Sequence, residues 1–430
     1  MRVTVAVAIL GIAAVSAGAQ AFKGVETFDA AWTIIRDSHF DPAMNGVDWN
    51  AVKIALRPAA VAAKTDEELR QVIRDMLGRL GQSHFALIPA NAASSADGRS
   101  DFTADPGFET RVIERDVVVT KVVAEGTAAA AGVQPGWIVE SIDGKPVSQA
   151  LALAESMPRR LLHVEVWRRV EAQLRGPAGS TVSVGFRNAD NRSVSHSLTR
   201  RPESGQAATV GNLPTMFVRL ESDRRQTPSG NSAGVIAFNI WMAAIDPMFE
   251  KAIDEHRAAD GIIIDLRGNP GGLAAMLMGI SGHFTTERKA LGIMKTRQSE
   301  LKFTSNPRLV NAAGKRVEPF AGPLAILVDP LTGSASECFA GGMQSLGRAR
   351  VFGQTSMGQA LPAVFEKLPN GDVLIHAFGD FVTADGTRLE GRGVIPDEEV
   401  PLTRADLLAG RDAPLERALQ WIDKTLAQRQ

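Results

Sequence analysis

The sequence predicts an α/β and α+β multidomain protein: an N-terminal helical domain, a small β-domain and a layered α/β core. Three observations carry this reading. Apolar residues recur at helical spacing between Phe22 and Ala90. β-Branched runs separated by Gly, Pro and Asp turns follow up to Arg201, and from about Val210 buried-type strands alternate with helix-length segments. At 430 residues, 44% hydrophobic and 22% charged, the chain has apolar material for two or three cores. A net charge of -1 and a pI near 6.7 give no bulk attraction to nucleic acid or anionic membrane, so partners must be argued from sites.

Residues 1–21 place one basic residue, Arg2, before an apolar run from Val3 to Val15 and end in Ala17-Gly18-Ala19 or Ala19-Gln20-Ala21. This is the pattern of a cleaved secretory signal, with an uncleaved anchor as the alternative, and no other apolar run approaches the ~20 residues of a spanning helix. The mature chain is expected to be exported, to the periplasm or beyond. Its one cysteine, Cys338, allows no internal disulfide, so the fold rests on its cores.

The helical domain, residues 22–100, shows Phe28, Ala31, Trp32 and Ile35 at 3.6-residue spacing. Thr65-Asp66-Glu67-Glu68 reads as a capped start to the amphipathic run from Leu69 to Leu80. Gly81-Gln82-Ser83-His84 closes it, a short strand begins at Phe85, and residues 91–105, rich in Ala, Ser, Asp and Gly, read as a linker.

Residues 104–201 open with a strand at Val117–Val123, then an Ala-rich helical turn, a Pro135-Gly136 turn, a strand from Trp137 and an Asp143-Gly144 hairpin turn. This order resembles a PDZ domain, closed by strands at Thr181–Phe186 and Ser193–Leu198. Trp137 stands where such domains usually carry an acid, and Arg159 to Gln173 reads as an insertion. PDZ domains add an extended peptide at a sheet edge and hold its carboxylate on backbone N–H groups, a role the resemblance gives to Gly107 and Phe108. A plain spacer domain is the alternative.

The core, residues 209–427, has buried-type strands at Gly234–Phe238, Gly261–Leu266 and Leu324–Val328 and helices at Pro247–Ala259 and Leu273–Phe284. It contains Asp265-Leu266-Arg267-Gly268-Asn269-Pro270-Gly271-Gly272, Gly333-Ser334-Ala335-Ser336-Glu337 and Gly391-Arg392-Gly393-Val394-Ile395-Pro396-Asp397. The second motif lies between a strand and a helix running from about Ala335 to Leu346, which sets Ser334 on a sharp turn beside free helix N–H groups. An oxyanion formed there would be met by the Ala335 N–H and by a second N–H from the Gly271-Gly272 turn. Taken alone, Gly-Ser-Ala-Ser reads as a helix cap, and Ser336 competes with Ser334 as nucleophile.

Together the three motifs resemble those of the tail-specific, or carboxyl-terminal processing, serine peptidases, and the helical domain before a PDZ-like module matches their order. The resemblance aligns the family's nucleophile with Ser334. It also implies a lysine base after the helix, where this chain has Thr355-Ser356-Met357-Gly358-Gln359; an amide at Gln359 cannot take the proton. The departure points to a related branch, the tricorn core, which uses serine, histidine, serine and glutamate. Ser83-His84 resembles its Ser-His pair, and its glutamate maps onto Glu390. The implied assignment is Ser334 as nucleophile, His84 as base and acid, and Ser83 and Glu390 as the groups that orient it. Asp385 and Glu366 are alternatives to Glu390.

His39, His163, His196, His256, His283 and His376 read as surface or core residues, and Cys338 as packing. No metal-ligand spacing and no phosphate loop is present, so no cofactor is expected, and the partner is a protein or peptide substrate, including C-terminal tails. A rival reading is a non-catalytic ligand carrier on the same scaffold, as in the retinoid-binding proteins of the eye that resemble this core. Another is a scaffold that collects protein tails.

Overall fold

The computed structural model describes residues 23–90, 104–154, 157, 159–209 and 215–429. The expected signal at 1–21 and most of the expected linker at 91–105 lie outside them.

Three helices, α1 (Gly24–Ser38), α2 (Trp49–Ala62) and α3 (Asp66–Gly78), form the N-terminal layer. Trp32 and Trp49 lock the first two: each buried indole N–H donates to the other residue's carbonyl, at 2.9 and 3.1 Å. α3 starts as its sequence dictates, with Thr65 Oγ1 taking the Glu68 N–H and Glu68 reaching back to the Lys64 N–H. Leu69, Ile73, Met76 and Leu77 then face the core. Beyond α3 the chain turns at Gly81 and again at His84, which holds a left-handed φ of 61°, and enters β1 (Ala86–Ile88).

The β-domain is an antiparallel sheet of β2 (Phe108–Ile113), β3 (Asp116–Val122), β4 (Ile138–Ile142), β5 (Thr181–Arg187) and β6 (Ser193–Thr199), in that spatial order. The stretch read as an insertion forms helix α4 (Arg159–Leu174). Its Val166, Val170 and Leu174 join Val119, Val139, Val182 and Phe186 in the domain core. Val164 and Trp167 point the other way, onto Leu331 and Met357 of the third domain. Apolar residues on two faces blur the amphipathic period, which is why the helix is weakly written in the sequence.

The third domain is built on a six-stranded sheet. Its order is β7 (Leu220–Gln226), β8 (Ser232–Phe238), β9 (Gly261–Asp265), β12 (Leu324–Val328), β13 (Arg350–Gly353) and β17 (Glu398–Glu399). β7 pairs antiparallel; the remaining pairs are parallel. Parallel strands are covered on both faces, and alternate residues divide accordingly. Ile262, Ile264, Ile326 and Val328 pack against Phe249 and Ile253 of α5 (Ile245–His256) and Phe339 of α7 (Ala335–Ser345). Ile263, Ala325, Leu327 and Phe352 meet Ala418, Leu419 and Ile422 of α8 (Ala413–Ala427).

Two three-stranded sheets lie beside the six-stranded one. One is β11 (Glu300–Thr304), β10 (Ala290–Thr296) and β16 (Gly379–Thr383), with α6 (Leu277–Gly282) beside it. The other joins β1 of the helical layer to the hairpin β14 (Ala363–Lys367) and β15 (Val373–Ala377), in the order β1-β15-β14. That antiparallel sheet carries residues just after His84 onto the third domain. Among the described residues no helix is long and apolar enough to cross a membrane.

Candidate active site

Ser334 sits where β12 turns into α7, and its backbone is held at φ 52°, ψ -118°. A non-glycine residue there is strained by about 1–3 kcal/mol, and a strained strand-to-helix turn is how a nucleophilic serine is lifted clear of a sheet. Surrounding groups enforce the turn. Thr332 Oγ1 donates to the Leu266 carbonyl at 2.9 Å, the Gly333 N–H to the Asn269 carbonyl at 3.0 Å, and the Ser334 N–H to the Gln359 carbonyl at 2.9 Å. The sheet thereby fixes the loop residue by residue.

Glu337, fully buried, organises the same turn from inside. Its carboxylate takes the N–H groups of Ser334, Gly358 and Gln359 at 3.0, 2.6 and 2.9 Å, and the Ser356 hydroxyl at 2.6 Å. Burial drives its pKa up to about 7 against those four donors. The sequence signal was present in Ser-x-x-Glu, a capping box, but its second task, gripping Ser356 to Gln359, comes from residues about twenty positions away.

The glycine turn lies directly opposite. A Cβ on Gly271 would come within 2.6 Å of Ser334 Cβ and 2.8 Å of the Ala335 nitrogen, and its φ of 102° already excludes other residues. Trp241 brackets this turn. Its N–H donates to the Gly271 carbonyl at 2.9 Å, its carbonyl accepts from Leu273 at 2.8 Å, and its buried indole N–H donates to Ser336 Oγ at 2.8 Å. Ser336 is thus fully buried and bonded to an indole, unsuited to attack a substrate. The Gly271 N–H is held by Asn269 Oδ1 at 3.0 Å. The N–H groups of Ala335 and Gly272 make no hydrogen bond among the described residues, so these two can receive an oxyanion.

Ser83, His84 and Glu390 come together. His84 Nδ1 lies 2.8 Å from Ser83 Oγ, which donates to Glu390 Oε2 at 2.8 Å, and the Ser83 N–H donates to Glu390 Oε1 at 3.0 Å. Because the serine proton goes to the carboxylate, Nδ1 carries the hydrogen that Ser83 Oγ accepts, and Nε2 is left with its lone pair. Glu390 also takes the Ala360 N–H at 2.9 Å, on the residue next to the Gln359 carbonyl that holds Ser334. No direct hydrogen bond joins His84 to Ser334; the Gln359–Ala360 peptide links the two halves. His84 keeps some solvent access but is densely surrounded, and desolvation lowers its pKa to about 4.

The other candidates fall elsewhere. Glu366 pairs with buried His376, which also contacts Ser38 Oγ, and Asp385 takes the Thr383 hydroxyl. Cys338 is buried, with its thiol pKa pushed well up by burial, and shares with Ser334 a small pocket lined by Leu277, Phe303, Ala360, Pro362 and Phe381. Its walls are apolar, so a charged group placed there would be stranded. In the β-domain the Gly107 N–H is taken by Asp105 at 2.7 Å, and Phe108 packs in the domain core. Among the described residues no group of three or more His, Cys, Asp or Glu could hold a metal.

A serine on a strained turn, two unengaged N–H donors beside it and an oriented imidazole define the class of a serine hydrolase. Residues 232–400 match the model of peptidase family S41, and residues 25–78 that of the tricorn protease C1 domain. Over residues 232–400 the chain is similar to family S41, and it is a serine-type peptidase. It is 25% identical over 379 residues to the carboxyl-terminal-processing protease of Picosynechococcus sp., covering 86% of this chain and 82% of that one. It is 25% identical over 417 residues to putative tricorn protease homolog 2 of Streptomyces coelicolor, covering 92% of this chain but 32% of that longer one. In fold it is similar to the photosystem II D1 C-terminal processing protease, with TM-score 0.59 and 22% identity over 93% of this chain and 97% of that one.

Proposed function

We propose that the protein is an exported endopeptidase that cleaves unfolded or C-terminal protein segments with Ser334 as nucleophile and His84 as base. The observation that carries this reading is the chain His84–Ser83–Glu390, whose carboxylate also grips the peptide holding Ser334. Ser334 Oγ attacks the scissile carbonyl carbon as its proton passes to His84 Nε2, and the carbonyl oxygen becomes an anion held by the Ala335 and Gly272 N–H groups. The imidazolium is supported through Ser83 by Glu390. Collapse breaks the C–N bond, His84 returns the proton to the leaving amine, and a water activated by His84 releases the acyl group. Gln359 contributes only its backbone. The β-domain, with its order of strands and helix α4 beside β2, serves in this reading as the PDZ-like module that presents substrate.

The test is cleavage of casein by purified variants. Ser334→Ala and His84→Ala each abolish turnover, while Gln359→Ala retains it. Full activity of either of the first two would refute the assignment.

A further inference from the structure

The strand that follows the site offers a free edge in line with Ser334. β14 ends its sheet, and among the described residues no strand pairs with its outer side. Its neighbour fixes which residues look outward. The Phe378 N–H donates to the Pro362 carbonyl and the Leu368 N–H to the Asp372 carbonyl, so Pro362, Val364, Glu366 and Leu368 turn their backbone groups toward β15. Ala363, Phe365 and Lys367 therefore turn theirs toward the open side. The alternation runs back into the site: the Ala360 N–H goes to Glu390, while both backbone groups of Gln359 face the start of α7, on Ser334 and Glu337. The outward groups of β14 are thus on the side of the chain that touches the nucleophile turn.

The side chains there are those of a docking surface. Val364 and Phe365, neighbours on the strand, are 36% and 42% exposed, and Ala360 and Pro362 line the small apolar pocket that holds Ser334. An open edge of this kind is a hazard unless something is meant to pair with it. Resting on the peptidase reading above, we propose that the outer edge of β14 is the substrate cradle: an extended, unfolded segment with apolar side chains adds to it as a strand through Ala363 and Phe365. Backbone pairing tolerates varied sequence, and Val364 and Phe365 supply apolar grip on both faces of the added strand.

The test separates this surface from the chemistry. Binding is measured on the Ser334→Ala protein with a fluorescein-labelled peptide of alternating valine and serine, and with copies N-methylated at single amides. Loss of one backbone hydrogen bond weakens binding about three- to tenfold, and it does so at alternate amides only. Ala363→Pro removes one outward N–H and leaves the β15 ladder intact, so it weakens binding of the parent peptide by a similar factor while the melting temperature holds. In the otherwise unaltered sequence it raises KM for that peptide, and Ser334 still reacts with a small fluorophosphonate. Equal binding of all the methylated peptides, or unaltered affinity in Ala363→Pro, overturns the cradle. Failure of Ser334 to react in the unaltered protein overturns the peptidase reading and leaves the binding result standing.

Discussion

At the scale of single residues, His84 carries the clearest pH signature. Its folded pKa, near 4, lies below the 6.5 of the unfolded side chain because burial disfavours the imidazolium. The sign follows directly: the folded state releases the proton, so its advantage is complete above pH 6.5 and is lost as pH falls toward 4. The same shift keeps Nε2 unprotonated and able to accept a proton through the weakly acidic range. The acid limb of kcat/KM should therefore fall near pH 4–5 rather than near 6.5, as read from initial rates on a quenched peptide between pH 3.5 and 8. A limb at 6.5 would show that the imidazole titrates as an exposed one. Thermal melts over the same range should decline on the same side.

Among the elements, the contact between β2 and the Ser334 loop couples two domains at the site. Arg111 of β2 donates to Asp329 at 2.7 Å, and Asp329 also holds the N–H groups of Gly268 and Leu331 at 2.9 and 3.0 Å. Gly268 has a φ of 74°, which favours glycine, and a Cβ there would lie 2.0 Å from the Arg111 guanidinium. The guanidinium and the N–H donors hold the Asp329 carboxyl below its ordinary range despite burial. One arginine thus braces both the glycine turn and the loop that presents Ser334. Arg111→Met keeps most of the apolar stem and strands a buried carboxylate, a loss of about 3–5 kcal/mol where such pairs are broken. It should lower the melting temperature and cut kcat more than it raises KM, and Arg111→Met/Asp329→Asn should recover part of the stability. A double variant no more stable than the single would mean that Asp329 acts without Arg111. None of this was legible in the sequence, which marked Gly268 as part of a motif but gave no sign of a partner more than 150 residues away.

For the whole molecule, what the sequence disclosed follows from how local each signal is. The strands at Gly261–Asp265 and Leu324–Val328 and the helix from Ala335 were legible because parallel strands buried on both faces write continuous apolar runs. Helix α4 was hidden by its two packing faces, and the grip of Glu337 on Ser356 and Gln359 by its non-local geometry. Ser83, His84 and Glu390 could be named from motif resemblance, but their meeting depends on how the helical layer docks. One polar anchor of that docking rests on a fully buried carboxylate: Arg70 of α3 donates to both oxygens of Asp372 on the β14–β15 hairpin, at 2.8 and 2.9 Å. Asp372 also takes the Ala90 N–H at 2.8 Å, just past β1, so one carboxylate fastens helix, strand and hairpin around His84. These donors hold its pKa below the ordinary value, so its contribution is present above about pH 4 and fades below it. Arg70→Ala leaves a buried charge short of its cation and should cost about 3–5 kcal/mol of stability, read by urea unfolding at pH 7. It should also lower kcat by loosening His84, while fluorophosphonate labelling of Ser334 slows in parallel. Arg70→Ala/Asp372→Asn removes the stranded charge and should be more stable than Arg70→Ala alone. If Arg70→Ala lowered stability and left kcat and labelling untouched, the helical layer would be a brace only, and His84 would take its position from β1 and Glu390 without help from α3.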